Sequence, residues 1–238
     1  MPKRIMSDAA GYYGKLPALG DFVQRRLPQD FVTAWDTWLQ QGMLGSQDAL
    51  GSAWLETYLT AHVWHFVLMP GQLGKSGWAG VWTPSVDRIG RYFPLTLAAP
   101  LPSSLPLGAS AASLGAWLKG LEEIARAALA PESSLASVDA ELQALGPLPS
   151  DAQKNGAELL PCVPDGRSHE STVELHALAD NGVGSLATAA MSRTLAGCSV
   201  WWCYDRTGQG GGFIHRGLPE AAFLGKMLTF TPRAACDA

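Results

Sequence analysis

The sequence has few charged residues, few cysteines and no long apolar run. Charged residues make up 16% of the 238 residues, against about 25% in an average globular chain. The formal net charge of −4 argues against nucleic acid as a partner, because that binding needs a basic face. The best apolar stretch, HVWHFVLM, is too short for a membrane span, which takes about 20 residues.

The start of the chain and its cysteines indicate a cellular compartment. The segment MPKRIMSDAAGYYG has no apolar region of the kind that secretory signals contain. The cysteines show no framework spacing and are typical of reduced thiols: Cys162, Cys198, Cys203 and Cys236. We therefore expect a cytoplasmic protein without a membrane span.

Aromatic and apolar residues are abundant, and their spacing predicts the main elements. Trp35 and Trp38 recur at the helical period after Pro28, which suits the first turn of a helix. A second helix is predicted from Ser52, a plausible N-cap. Trp64 and Trp201 fall in predicted strands. We expect four tryptophans to be core residues: Trp35, Trp38, Trp64 and Trp201.

Three runs read as consecutive strands: HVWHFVLM, GWAGVWTPSV and RYFPLTLAAPL. Their short links predict an antiparallel meander, and Pro94 points to an edge or a bulge in the third strand. An amphipathic helix from Leu114 and a helix capped by Ser133 or Ser134 should follow.

In the rest of the chain, predicted strands and helices alternate again. The prediction is a surface loop at 146–170, a strand at Ser171–Leu178, a helix at Val183–Leu195, the strand CSVWWCY, a flexible turn at GQGGG, the strand FIHRG and the helix EAAFLGKML. The predicted fold is α/β (α+β), a single domain over residues 1–238. Its central sheet is mixed but largely antiparallel, with helices on both faces.

No segment carries a recognisable catalytic, cofactor or metal pattern. LGKSG lacks the first glycine of a P-loop and precedes a predicted strand rather than a helix. His62 and His65 point to opposite faces of a strand, and no metal-ligand spacing occurs. The adjacent His169, Glu170 and Ser171 do not make a triad, which is defined by geometry across a fold. We expect no enzymatic activity, no cofactor and no metal.

Two groups of charges stand out in a chain with so few. The first comprises Lys15, Asp21, Arg25 and Arg26, and the second comprises Asp87, Arg88 and Arg91 in the stretch PSVDRIGRYFPLTL. An aspartate beside arginines can order a tight turn, and charged loops beside aromatic surface can also bind proteins. Our hypothesis divides the roles: Asp87 and one arginine build the loop, and the other arginine faces a partner.

The same residues carry a family resemblance. The stretches GYYGKLPALGDFVQRRLP, FVTAWDTWLQ, GVWTPSVDRIGRYFPLT and SVWW resemble the TagF (also called ImpM) family of type VI secretion-associated proteins of Gram-negative bacteria. The match is dense over the first hundred residues and loose in the final third. No family motif is identifiable between Ser103 and Arg167.

The resemblance implies a cytoplasmic protein that restrains type VI secretion after translation by binding a forkhead-associated-domain scaffold protein. It supplies no catalytic residues. The candidate residues for interaction or for loop building are Lys15, Asp21, Arg25, Ser85, Asp87, Arg88 and Arg91. The alternative is an enzyme or small-ligand receptor in which Lys15, Ser85, Asp87 and Arg91 line a polar pocket.

Overall fold

A computed structural model describes residues 9–101, 111–149 and 195–232. Its strands form one seven-stranded sheet in the order β2-β1-β5-β4-β3-β6-β7. All six pairings of these strands are antiparallel. The strands are β1 (Gly11–Gly14), β2 (Val23–Arg25), β3 (Trp64–Leu68), β4 (Trp78–Thr83), β5 (Leu95–Pro100), β6 (Cys198–Tyr204) and β7 (Gly210–Arg216).

Within the described ranges, five α-helices pack on the two faces of this sheet. They are α1 (Gln29–Leu50), α2 (Trp54–Thr60), α3 (Ala111–Ala128), α4 (Leu135–Leu145) and α5 (Phe223–Leu228). Helix α1 follows Pro28, and Ser134 caps α4 by accepting a hydrogen bond from the Ser137 N–H. No helix within the described ranges is long and apolar enough to cross a membrane.

The two faces of the sheet have separate hydrophobic cores. One core joins α1, α2 and α5 to a face rich in tryptophan and phenylalanine. The other joins α3 and α4 to aliphatic residues of the opposite face. Neighbouring residues of β3 show the division, because Phe66 belongs to the first core and Val67 to the second. The predicted α+β fold, with helices on both faces of a largely antiparallel sheet, is confirmed, and every described strand pairing is antiparallel.

Trp35, Trp38, Trp64 and Trp201 are buried in the aromatic core, with no more than 6% of any of them exposed. Three of these rings stack on one another between α1 and β6. The centroids of Trp35 and Trp38 lie 5.0 Å apart, and those of Trp38 and Trp201 lie 5.4 Å apart. The Trp38 indole N–H also donates a hydrogen bond of 2.7 Å to the Pro219 carbonyl. Helix α1 is thereby fixed to the sheet and to the segment before α5.

The predicted meander is confirmed, but its third strand is not at an edge, which was one of the two alternatives that Pro94 suggested. Strand β5 lies between β1 and β4. Pro94 precedes the first paired residue, Leu95, which lies opposite Thr83. Since proline stands outside the ladder, its missing N–H removes no sheet hydrogen bond.

Two local predictions are also wrong. Ser52 is not the N-cap of the second helix but lies in a 3-10 turn, Gly51–Ala53, directly before α2. Gly51, with φ of 53°, ends α1 and leads straight into that turn. The residues Gly210–Gly212 of the predicted flexible turn pair with β6 as part of β7. A Cβ at Gly212 would collide with the backbone of Trp201, so glycine permits the close approach of the two strands there.

Several predicted elements lie outside the described residues. They are residues 150–170 of the predicted loop, the predicted strand at Ser171–Leu178 and nearly all of the predicted helix at Val183–Leu195.

Candidate functional site

The loop between β4 and β5 is a tight, hydrogen-bonded turn. Val86 and Tyr92 form an isolated antiparallel bridge. Within it, the Asp87 N–H donates to the Arg91 carbonyl at 3.0 Å, and the Gly90 N–H donates to the Asp87 carbonyl at 3.0 Å. Gly90 has a φ of 89°, a left-handed conformation that side chains with a Cβ rarely adopt. The sequence DRIGR therefore forms this turn from its own backbone bonds, with glycine where the chain reverses.

The carboxylate of Asp87 is the centre of this turn. Its Oδ1 accepts hydrogen bonds from the backbone N–H groups of Ile89 (3.0 Å) and Arg91 (2.9 Å). Its Oδ2 accepts from Lys15 Nζ (2.5 Å) and from Arg91 Nε (2.6 Å). Burial by itself would raise the pKa of Asp87, but the bonds from Lys15 and Arg91 hold it well below the ordinary value of 3.8. Asp87 is therefore an ionised, internally neutralised group.

Lys15 reaches Asp87 from the loop after β1. The two residues are only 4% and 3% exposed. The Lys15 ammonium lies 5.0 Å from the centre of the Phe22 ring, a distance at which an aromatic ring attracts a cation. The Ser85 hydroxyl donates to the Lys15 carbonyl at 2.8 Å, and the Tyr58 hydroxyl lies 3.0 Å from both the N and the O of Ser85.

These contacts bear on the alternative of a ligand pocket. Lys15, Ser85, Asp87 and Arg91 do lie together, as that alternative requires. Lys15 and Asp87, however, are buried and paired with each other, and Ser85 bonds to the backbone. The Asp87 carboxylate accepts four hydrogen bonds, two from these cations and two from backbone N–H groups. This arrangement favours a structural role for these groups over capture of a small anion.

A second loop, residues 16–22, lies against the turn at 87–91. The Arg88 N–H donates to the Leu19 carbonyl at 2.9 Å, and the Arg91 guanidinium donates to the Gly20 carbonyl. We call residues 15–22 and 87–91 together the paired loops, since Lys15 also joins the turn through Asp87. Their surface carries Asp21, Phe22, Arg88 and Ile89, which are all exposed. Arg91 is the arginine that binds Asp87, whereas the Arg88 side chain has no hydrogen bond or ion pair with any described residue.

The first charged group of the sequence does not stay together. Lys15 joins Asp87, while Arg25 and Arg26 join Asp139 of α4. The Arg25 guanidinium lies 3.4 Å from the Asp139 carboxylate and is more than half exposed. The cations of this group therefore bind two different carboxylates. Arg25 of β2 and Arg26 directly after it reach Asp139 because α4 packs on the aliphatic face of the sheet.

Sequence reasoning missed a buried polar contact between His65 of β3 and Glu122 of α3. The His65 Nε2 lies 3.1 Å from a Glu122 oxygen, and Arg126 binds the same carboxylate. Burial alone would raise the pKa of Glu122, but bonds from His65 and Arg126 hold it below its ordinary value. The available signal was the position of Glu122, four residues after Leu118 and therefore beside the apolar face of the predicted amphipathic helix. Among the described residues no group of three or more side chains could hold a metal ion.

The conformation of Gly90 yields a first prediction. Gly90→Ala should destabilise the protein by about 1 kcal/mol, because the left-handed conformation is strained for alanine. A Cβ at this position would meet no atom within 4 Å, so the effect isolates backbone strain. Urea denaturation would measure the change.

The matched control is Gly115→Ala in α3, where a Cβ also meets nothing within 4 Å and the backbone is helical. That variant should be stabilised by about 0.5 to 1 kcal/mol. A Gly90→Ala variant as stable as the wild type would show that the turn does not require glycine.

The fold and the site together define an α+β protein whose buried ion pair orders two adjoining surface loops. Residues 11–145 match the family described as the TagF N-terminal domain, type VI secretion system-associated. This chain belongs to that family. The crystal structure of PA0076 from Pseudomonas aeruginosa PAO1 is similar to it, with 38% sequence identity and a TM-score of 0.70, over 93% of this chain and 94% of that one. No curated protein matches the chain. The resemblance noted in the sequence is confirmed.

Proposed function

We propose that this protein is a cytoplasmic negative regulator of a type VI secretion system. It acts after translation, by binding a forkhead-associated-domain scaffold protein of that system. Family membership supports the association with type VI secretion. The observation that carries the binding role is the construction of the paired loops. Their buried charges are neutralised internally, and Arg88 and Ile89 are left exposed on an ordered turn. Loops presented by a rigid scaffold are typical binding elements.

The protein is proposed to have no catalytic activity of its own. The charged residues that could have formed a reactive site, Lys15, Asp87 and Arg91, hold one another in place. A catalytic acid or base has a pKa near the working pH, whereas Asp87 has a pKa far below that range. The role proposed for this site is therefore to shape a surface.

The proposal predicts direct binding to the scaffold. The purified chain should bind the purified forkhead-associated-domain scaffold of the same organism, with a Kd in the micromolar range or tighter, measured by isothermal titration calorimetry. Overproduction of the chain in that organism should lower the amount of type VI substrate in the culture medium without lowering its amount in the cells.

A scaffold from a type VI system of a distant organism provides the control for unspecific binding. Absence of binding to the cognate scaffold at about 100 μM, a concentration at which weak interfaces of this kind are still detected, would refute the proposed mechanism. A fall in the intracellular amount of substrate would place the restraint before translation.

A further inference from the structure

We propose that the exposed side of the paired loops is the docking surface of this protein, and that it binds an acidic face of its partner that also presents apolar side chains. The inference rests on the proposed function and identifies the surface through which that function operates. Its centre is Arg88 and Ile89 at the tip of one loop, with Phe22 on the other.

The surface is rigid before any partner arrives. Asp87 binds the N–H groups of Ile89 and Arg91 directly. The Arg88 N–H and the Arg91 guanidinium attach the turn to carbonyls of the neighbouring loop. A loop ordered in this way loses little conformational freedom on binding, which favours affinity.

Ile89 is unusually exposed for an isoleucine. It is 65% exposed at the tip of a turn, a place where polar residues and glycine are the usual choice. Its backbone N–H orders the turn by binding Asp87, but any residue other than proline would supply that N–H. The isoleucine side chain therefore has no evident role in folding, and we assign it a role in contact with the partner.

Phe22 adds a second apolar side chain. It is 48% exposed, and the rest of its ring packs on Tyr13 and Phe93, with centroids at 5.7 Å and 4.9 Å. An aromatic ring held on a hydrophobic base, next to an arginine and an aliphatic residue, has the composition of the centres of protein interfaces.

The net charge of the paired loops indicates what kind of surface the partner presents. Three cations and two anions lie on the paired loops: Lys15, Arg88, Arg91, Asp21 and Asp87. The loops therefore carry a net positive charge in a chain whose net charge is −4. Of these three cations, Lys15 and Arg91 bind Asp87, and Arg88 has no ion pair with any described residue. Since a guanidinium forms two parallel bonds with a carboxylate, the complementary surface presents an aspartate or glutamate opposite Arg88.

The test compares variants of this surface with matched variants at the far end of the sheet. Arg88→Glu and Ile89→Ser alter the proposed surface. Arg206→Glu and Ile214→Ser are the controls. Arg206 is exposed in the turn between β6 and β7, and Ile214 is 68% exposed on β7, against 65% for Ile89. The probe is the purified, unphosphorylated forkhead-associated-domain scaffold, titrated into each protein at low and high salt.

Arg88→Glu should weaken binding by about a hundredfold and Ile89→Ser by about tenfold, while both controls bind as the wild type does. Added salt should weaken the wild type more than it weakens Arg88→Ala, because that variant has lost the ion pair. Unchanged melting temperatures would show that all these variants fold.

Each other outcome has a definite meaning. If the wild type binds and both surface variants bind equally well, the docking surface is elsewhere and the proposed function stands. If binding appears only after the scaffold is phosphorylated, the anion is a phosphate and the assignment of a carboxylate is wrong. If the wild type does not bind the scaffold in either form, the proposed function fails, and this surface fails as its docking site.

Discussion

Replacing Trp38 by alanine should lower the free energy of unfolding by about 3 to 5 kcal/mol. The side chain is 6% exposed, and its ring stacks on Trp35 and Trp201. Truncation leaves a cavity between α1 and the sheet that these rigid rings cannot fill. It also removes the donor that binds the Pro219 carbonyl at 2.7 Å. Urea denaturation monitored by far-ultraviolet circular dichroism would measure the loss.

Leu44→Ala supplies the control in the same helix. Leu44 is 63% exposed, and its truncation should change the stability by no more than about 0.5 kcal/mol. A loss below about 1 kcal/mol for Trp38→Ala would mean that the ring is not part of the packed core.

Asp87→Asn should lower the melting temperature by about 10 °C. The substitution preserves the size of the side chain but removes the charge that neutralises Lys15 and Arg91. Lys15 is only 4% exposed, so its ammonium would lose its ion-pair partner inside the protein. Removing one partner of a buried ion pair is among the most damaging single changes. Thermal unfolding at pH 7 would measure the effect.

The pH dependence separates the loss of charge from a general loss of packing. The pKa of Asp87 is lower in the folded protein than its ordinary value of 3.8, so ionised Asp87 stabilises the fold above that pH. This stabilisation is lost as the pH falls toward the depressed folded-state pKa. The difference in melting temperature between wild type and Asp87→Asn should therefore be constant above about pH 5 and narrow below about pH 4.

Arg88→Ala is the control for the same loop. Because its side chain is exposed and binds no described residue, the melting temperature should change by no more than about 2 °C. A difference in melting temperature between wild type and Asp87→Asn that stays constant down to pH 2 would contradict the role of the charge. A large loss for Arg88→Ala would show that Arg88 also builds the turn.

The sequence by itself determined which segments are helices and strands along most of the described chain. The tryptophans of α1 recur at the helical period, and β3 is apolar at every position except His65. These patterns predict secondary structure because the period of a helix and the alternation of a strand follow from local backbone geometry. The same reasoning failed at Ser52 and at Gly210–Gly212. At Ser52 the end of α1 overrode the local propensity, and at Gly210–Gly212 the close approach of two strands did so.

Only the tertiary structure decided which charges meet. Lys15 and Asp87 are 72 positions apart in the chain, and Arg26 and Asp139 are 113 positions apart. No pattern in the spacing of residues along the sequence indicates these ion pairs. Their contacts arise because β1 inserts beside β5, and because α4 packs over the aliphatic face near β2. Long-range ion pairs follow from how the elements pack, and packing depends on the shapes of both cores at once. For the same reason the sequence identified DRIGR as a candidate surface, whereas the fold distinguished Arg91, which builds the loop, from Arg88, which is left exposed.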